Sequence, residues 1–395
     1  MRNDNVDRRN FKESEICLDR IRGCMFGGAV GDALGYPIEF FGENKIFSHY
    51  GEKGIQEYEV DPVSEKALIS DDTQMTLFTA NGILIADTIS SMRGSRCLPH
   101  EYIPMSYQNW LCTQRMSFEQ SRKQQGRGRK PGISWLLDIS ELYSRRAPGN
   151  TCMSALYQQE NIKELPDSFI AHPQNNSKGC GGIMRVAPLA LKNYPGIEIK
   201  DLDCEGAEIA AITHGNSLGY MPAAVLVHII HRIVYPIRHQ TLKEIVLEAK
   251  NTVNEIFVGD RNLKKLTDII DFAVELSKNK KSDLDNIHQI GEGWVAEETL
   301  GIAIYCSLKY QNDFSAGVIA AVNHRGDSDS TGAVTGNILG ALLGFHAIDE
   351  KWKNHLELAH IILEMADDLC HGCQMNEYSH YKDSDWIRKY MQMRW

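Results

Sequence analysis

Glycine recurs at every fourth position in two segments that lie far apart in this chain. The positions are Gly23, Gly27, Gly31 and Gly35 in one segment and Gly332, Gly336, Gly340 and Gly344 in the other. A glycine inside a helix costs roughly 1 kcal/mol relative to alanine, so such repetition requires a compensating gain. On a helix the spacing forms one ridge without side chains, which lets another backbone approach closely. Tight packing alone explains the ridges, and we further expect them to hold adjoining aspartates in fixed positions.

The periodicity of the apolar residues predicts an all-α protein with a single orthogonal helical domain. Helical rather than alternating patterns run through Ala207–Ile233, Trp294–Tyr310 and Asn354–Cys370. Strand pairs joined by Asn-Gly or Asp-Gly turns are not evident. Residues 1–19 are polar and charge-mixed, so we interpret them as an N-terminal extension and residues 20–395 as the domain.

The composition restricts the classes of function. The net charge of −10 argues against nucleic-acid binding, because phosphate contacts need clustered Lys and Arg. The most apolar run, Met221–Ile237, is interrupted by His228, His231 and Arg232, which disfavours a membrane span. The first twenty residues lack the apolar segment of a signal peptide, and ten scattered cysteines are typical of reduced thiols. We therefore expect a cytoplasmic protein.

Two segments each carry a pair of aspartates beside hydroxyl residues: Ser70-Asp71-Asp72-Thr73 and Asp327-Ser328-Asp329-Ser330. Each also fits an ordinary helix N-cap, which explains one aspartate but not the repetition. Carboxylate and hydroxyl oxygens are the ligands that Mg²⁺ and Mn²⁺ prefer. The four carboxylates with Ser70 and Ser330 suffice for two such ions that share a bridging water.

A further acidic residue, Glu39, follows the first glycine segment. Pro37 is expected to end that helix and to place Glu39 in a loop, where it either faces the metal site as a proton carrier or is simply solvated. Asp32, which lies within the same glycine segment, is assigned to the substrate-binding set.

The glycine-rich segment from Asn176 to Arg185 is a candidate phosphate cradle. Consecutive backbone N–H groups at a helix start form an anion site, although glycine-rich turns are also common without one. His214 either contacts the ligand or is a satisfied structural histidine. The substrate-binding candidates are accordingly Asp32, Ser177, Gly179, Cys180, Gly181, Gly182, Met184 and His214.

The motifs GDALGYPIE, SDDTQM, SKGCGGIMR, THG, GWVAEE and GDSDSTG resemble the ADP-ribosylglycohydrolases in order and spacing, from about Arg20 to Asp368. The resemblance implies an all-α domain with a binuclear Mg²⁺ or Mn²⁺ centre in a cleft. It implies the metal ligands Ser70, Asp71, Asp72, Asp327, Asp329 and Ser330, and the catalytic residues Glu39, Asp72 and Asp329. Family sites often have Thr where this chain has Ser70 and Ser330, and serine preserves the ligand oxygen.

The reaction implied by the resemblance is removal of ADP-ribose from a modified protein. The pattern is similar to the arginine-directed branch, which includes the dinitrogenase reductase-activating glycohydrolases and implies cleavage of the N-glycosidic bond of ADP-ribosyl-arginine. Some members give immunity to ADP-ribosyltransferase toxins through an N-terminal extension, which residues 1–19 would supply if they are not an unstructured tail. The alternatives are ADP-ribosyl-serine, O-acetyl-ADP-ribose or a phosphorylated nucleoside as substrate, a non-catalytic ADP-ribose or toxin binder, and a helical scaffold.

Overall fold

The computed structural model describes residues 2–125, 134–160, 164–378 and 380–391, with the side chains of residues 2–13, 124 and 125 left out. The described residues form eighteen α-helices: α1 (Arg2–Gly35), α2 (Glu43–Tyr50), α3 (Asp71–Arg93), α4 (Ile103–Arg115), α5 (Phe118–Gln125), α6 (Asn150–Gln159), α7 (Ala187–Leu191), α8 (Ile199–Ala211), α9 (Ser217–Val234), α10 (Leu242–Ile256), α11 (Leu263–Leu276), α12 (Asp283–Ile290), α13 (Ala296–Lys309), α14 (Phe314–Val322), α15 (Ser328–Leu343), α16 (Glu350–Lys353), α17 (Ala359–His371) and α18 (Ser384–Tyr390). Short 3₁₀ helices occur at Tyr36–Ile38, Pro99–Glu101, Trp135–Asp138, Ser140–Tyr143, Cys180–Arg185 and Phe345–Ala347.

The all-α prediction is confirmed. Across the described ranges, β structure is limited to isolated bridges such as the one between Gly179 and Val295. One hydrophobic core runs through the protein, from Ile21 on α1 to Tyr390 on α18. The boundary predicted after residue 19 stays a prediction, since α1 continues across it and the side chains before Ser14 lie outside the described residues.

The two glycine segments lie on α1 and α15, which pack backbone against backbone. A Cβ atom added to Gly31 would lie 1.9 Å from the carbonyl oxygen of Gly332, and one added to Gly336 would lie 1.9 Å from that of Gly27. Asn337 on α15 also donates a 2.9 Å hydrogen bond to the Cys24 carbonyl on α1. The close approach therefore provides the gain that offsets the helical cost of the glycines.

The core helix α9 is the one described helix that is long and apolar enough to cross a membrane, and 89% of that span is buried within the protein. The sequence pattern predicts a continuous helix over Ala207–Ile233, but the structure breaks it into α8 and α9. The break falls at the short loop before α9, where the Asn216 side chain accepts a hydrogen bond from the Leu218 N–H and caps that helix. Helices α13 and α17 begin at Ala296 and Ala359, later than their apolar patterns suggest.

Candidate active site

Asp71 and Asp72 form the first turn of α3. Hydrogen bonds to Asp32 on α1 hold this turn in position. The Asp32 carboxylate is fully buried and accepts hydrogen bonds from the backbone N–H groups of Ser70 (3.0 Å) and Thr73 (3.1 Å), and from the Thr73 hydroxyl. Ser70 is the N-cap, since its hydroxyl accepts the Asp72 N–H at 3.1 Å. Neither Asp32 nor Ser70 lines the cleft described below. Both residues instead hold the first turn of α3 in place.

An ion pair holds the other side of this turn. Arg146 donates two hydrogen bonds to Glu357, at 2.8 and 2.9 Å, and a third to the Ile69 carbonyl at 2.9 Å. The Arg146 carbonyl in turn accepts the Asp71 N–H at 3.1 Å. A bidentate arginine–carboxylate pair is geometrically specific, so it fixes the approach of the chain to α3.

Asp327, Asp329 and Ser330 occupy the start of α15 and meet the first aspartate pair. Asp327 is the N-cap and accepts the Ser330 N–H at 3.2 Å. The Ser330 hydroxyl donates a 2.9 Å hydrogen bond to Asp72, across 258 positions of sequence. Each aspartate motif thus caps a helix and also contributes to one acidic cluster, because both helix starts face the same cleft.

The clustered carboxylates are buried among like charges. Burial, followed by repulsion from neighbouring aspartates, raises the pKa of Asp71, Asp72 and Asp329 well above the ordinary value. No lysine or arginine occurs among the described residues that line the cleft. A divalent cation would supply the missing positive charge, and these oxygens are the donors that a hard cation prefers. Within the described residues no three acidic, histidine or cysteine side chains converge in the arrangement of a formed metal site. The argument that a divalent cation fits this cleft therefore rests on the chemistry and the charge of its oxygen donors.

Glu39 lies at the cleft, directly after the 3₁₀ turn Tyr36–Ile38. Its side chain is 8% exposed, and its Oε2 atom has no hydrogen-bond partner among the described residues. Burial and the charges of Asp327, Asp71 and Asp32 raise the pKa of Glu39 to about 9. The solvated-loop interpretation of this glutamate is thereby excluded, and a proton can reside on it at neutral pH.

The glycine-rich turn forms the opposite wall. It is tied to the segment before α13 by hydrogen bonds from the Cys180 N–H to the Trp294 carbonyl (3.3 Å) and from the Ala296 N–H to the Lys178 carbonyl (3.0 Å). The Cys180 thiol donates to Asp327 at 2.7 Å, which connects this wall to the acidic one. Gly179, Cys180, Gly181 and Met184 line the cleft.

Two members of the predicted cradle do not line the cleft. Gly182 packs into the fold, where an added Cβ would lie 3.0 Å from both the Ala210 side chain and the Gly219 carbonyl. The Ser177 hydroxyl accepts the Gly179 N–H at 3.3 Å and contacts the Thr151 hydroxyl at 3.3 Å, so it braces the turn. His214 does line the cleft, and burial followed by the charge of Arg185 lowers its pKa to about 3, which keeps it neutral.

The cleft has a volume of about 610 Å³, counting the part that is open to solvent. Some of its walls were not among the sequence candidates: Ala147, Gly149, Asn150, Thr151, Cys152 and Trp294. The first five belong to the segment RAPGNTC, which runs from a turn into the first residues of α6 and which the sequence alone indicates only as a turn. Trp294 belongs to the GWVAEE motif, and its ring, 39% exposed, stacks on the 73% exposed ring of Phe40 with centroids 6.0 Å apart.

The sequence profile of the ADP-ribosylglycohydrolase family matches residues 13–379. This chain belongs to that family. Among curated relatives of this ADP-ribosylglycohydrolase, ADP-ribosylhydrolase ARH3 of Mus musculus is 24% identical and covers 86% of this chain and 88% of its own. ADP-ribosyl-[dinitrogen reductase] glycohydrolase of Rhodospirillum rubrum is 23% identical, covering 86% and 91%. ADP-ribosylarginine hydrolase Tri1 of Serratia proteamaculans is 24% identical, covering 90% and 80%.

The fold agrees with this membership. A solved structure described as an ADP-ribosylglycohydrolase-related protein complex superposes with a TM-score of 0.60 at 21% identity, covering 90% of this chain and 99% of the other. The family consists of metal-dependent hydrolases of ADP-ribosyl groups that act on ADP-ribosylated proteins.

Proposed function

We propose that this protein removes ADP-ribose from modified arginine side chains by hydrolysis of the N-glycosidic bond, with two Mg²⁺ or Mn²⁺ ions as cofactors. The observation that supports this most is the meeting of the two aspartate motifs, joined by the 2.9 Å hydrogen bond from Ser330 to Asp72. The proposed ligands are Asp71, Asp72, Asp327, Asp329 and Ser330, which line the cleft, while the predicted ligand Ser70 caps α3 behind them. Bound divalent cations would polarise the ribose hydroxyls and lower the pKa of the attacking water.

The residues of the chain divide the remaining work. Water adds to the anomeric carbon of the distal ribose while the bond from that carbon to the guanidine nitrogen breaks. Glu39 lies at the cleft with an unpartnered Oε2 atom and is the proposed proton carrier to the leaving nitrogen. Asp72 and Asp329 orient the water and the ribose, and the turn from Gly179 to Met184 faces the diphosphate.

The aromatic rings beside the cleft support an arginine linkage over a serine linkage. The exposed ring pair of Phe40 and Trp294 offers a face on which a guanidinium can stack. The similarity to a relative that is named an ADP-ribosylarginine hydrolase supports the same linkage.

The proposal is tested by release of ADP-ribose from two matched proteins, one modified on arginine and one on serine, with Mg²⁺ present. Faster release from the arginine-linked protein is expected. Faster release from the serine-linked protein, or from O-acetyl-ADP-ribose, would move the assignment to those substrates. Binding of ADP-ribose without release from any of them would instead favour a non-catalytic binding protein.

The proposal also includes a cellular location and a contact with a toxin. A cytoplasmic location is supported by the ten scattered cysteines, a pattern typical of reduced thiols. Contact between residues 1–19 and an ADP-ribosyltransferase toxin stays a prediction, since the family profile begins at residue 13 and most of the segment precedes it. Deletion of residues 1–12 should leave hydrolysis unchanged and remove only a toxin contact, if there is one.

A further inference from the structure

Arg185, at the end of the glycine-rich turn, is a fully buried cation without a carboxylate partner in the described part of the chain. Its guanidinium lies 4.5 Å from the centre of the Tyr107 ring and contacts the sulfur atoms of Cys152 and Met75, at 3.4 and 3.5 Å. The strongest contact is a 2.6 Å hydrogen bond from Nη2 to the Thr213 hydroxyl oxygen. A buried charge without a counterion is costly, so this arrangement needs a reason beyond packing.

The bond from Arg185 determines the direction of the next hydrogen bond. The Thr213 oxygen lies 2.8 Å from Nδ1 of His214. Its other contacts, the Arg185 guanidinium and the Cys152 thiol 4.0 Å away, are both donors, so the hydroxyl proton is left for Nδ1. A neutral imidazole that accepts at Nδ1 carries its proton on Nε2.

The Nε2 edge of His214 faces the glycine-rich turn. A Cβ atom added to Gly179 would lie 3.2 Å from Nε2, and one added to Gly181 would lie 2.9 Å from Cε1. The ring lines the cleft although the residue is only 2% exposed, and Nε2 has no partner within the described residues. The His214 side chain thus points to the proposed phosphate wall, and its Nε2–H donates no hydrogen bond within the described residues.

We infer that Arg185 and Thr213 form a positioning relay that presents the Nε2–H of His214 as a hydrogen-bond donor to an anionic group of the ligand. The inference rests on the proposed function for the identity of that ligand, namely the diphosphate of ADP-ribose. The anion would also provide the counter-charge that Arg185 lacks, because a hydrogen-bond chain in a dry site polarises toward it. Thr213 and Arg185 act through His214 and do not themselves touch the ligand.

The first measurement is the tautomer of His214 by ¹⁵N NMR of the intact protein at neutral pH, which requires no variant of the relay. The relay predicts a neutral ring protonated at Nε2. A ring protonated at Nδ1, or a charged ring, would contradict it. The signal is assigned by its loss in His214→Asn.

The second measurement compares Thr213→Val with Thr213→Ser by calorimetric titration with free ADP-ribose in the presence of Mg²⁺. The valine variant keeps the shape but not the hydroxyl, and we expect its Kd to rise roughly tenfold. The serine variant keeps the hydroxyl and should bind as the unmodified protein does. Equal weakening in both variants, or in neither, would overturn the relay.

The two proposals fail in different ways. If the unmodified protein shows the Nε2 tautomer but does not bind ADP-ribose, the ligand assignment is wrong and the relay stands. If ADP-ribose binds and is released from arginine but the tautomer is reversed, the relay is wrong and the proposed function stands.

Discussion

At the scale of single residues, the buried aspartates favour function at the expense of stability. Asp329 is buried, and burial and its neighbours Asp72 and Asp327 raise its pKa. We predict that Asp329→Asn lowers kcat by about 100-fold or more, because a metal ligand is lost. We also predict that it does not lower, and even raises, the melting temperature of the metal-free protein, because a source of like-charge repulsion is removed.

Differential scanning calorimetry in EDTA and a hydrolysis assay in Mg²⁺ give the two readings. The matched control is Asp61→Asn, at an aspartate on a surface turn that is bound to Ser64 and is not part of the cleft lining. It should leave kcat unchanged. An Asp329→Asn protein that stays folded, metal-bound and fully active would show that Asp329 is not a ligand.

Individual residues also show where the sequence is informative and where it is not. The acidic pairs were predicted because carboxylates beside hydroxyls imply a definite chemistry, and Glu39 because Pro37 was expected to end the preceding helix. Asp32, Ser70, Ser177 and Gly182 belong to segments that contribute to the cleft but do not line it themselves. Residue order within a segment does not state which side chain points outward, and only the packing of α1, α3 and α9 decides it.

At the scale of helices, the contact of α1 with α15 is the most restrictive packing in the protein. A Cβ on Gly336 would lie 1.9 Å from the Gly27 carbonyl oxygen, and backbone atoms cannot yield cheaply. We predict that Gly336→Ala destabilises the protein by about 3 kcal/mol or more, although alanine is the better helix former. The free energy of unfolding in urea measures this.

Gly42→Ala is the matched control. Gly42 has φ −75°, which alanine adopts freely, and no atom lies within 4 Å of an added Cβ. Its effect should be smaller than about 1 kcal/mol. A Gly336→Ala protein as stable as the unmodified one would mean that the two helices are farther apart than described.

The sequence predicted which segments are helical better than it predicted where each helix begins and ends. Glycine spacing predicted a close backbone approach to each of the two helices but not that α1 and α15 are partners, and N-cap chemistry predicted the starts of α3 and α15. The break between α8 and α9 was not expected, because an apolar pattern continues across a turn whenever both flanking helices are buried. His214, in the loop between these helices, lines the cleft as one of the predicted candidates, whereas Thr213 beside it was not among them.

For the whole molecule, the crowded carboxylates predict a pH dependence that metal should suppress. In the metal-free protein the pKa of Glu39 is raised to about 9, and the pKa values of Asp71, Asp72 and Asp329 are also raised. Groups with raised pKa values in the folded state stabilise it when protonated, and this contribution is lost as the pH rises through those values.

The melting temperature in EDTA should therefore rise as the pH falls from about 8 to about 6. Added Mn²⁺ should raise it most at the higher pH, where the carboxylates are ionised and bind the ion. Thermal unfolding at several pH values, with EDTA or with Mn²⁺, gives both curves. Identical curves under the two conditions would contradict a metal site built from these residues.

Metal-dependent release of ADP-ribose from an arginine-ADP-ribosylated protein is the most direct measurement of the central claim. Release with Mg²⁺ or Mn²⁺, its loss in EDTA and its return when the ion is restored are the predicted results. Release that continues unchanged in EDTA, after metal analysis shows the protein to be free of bound ions, would contradict the claim that the aspartate cleft is a metal-dependent hydrolase site.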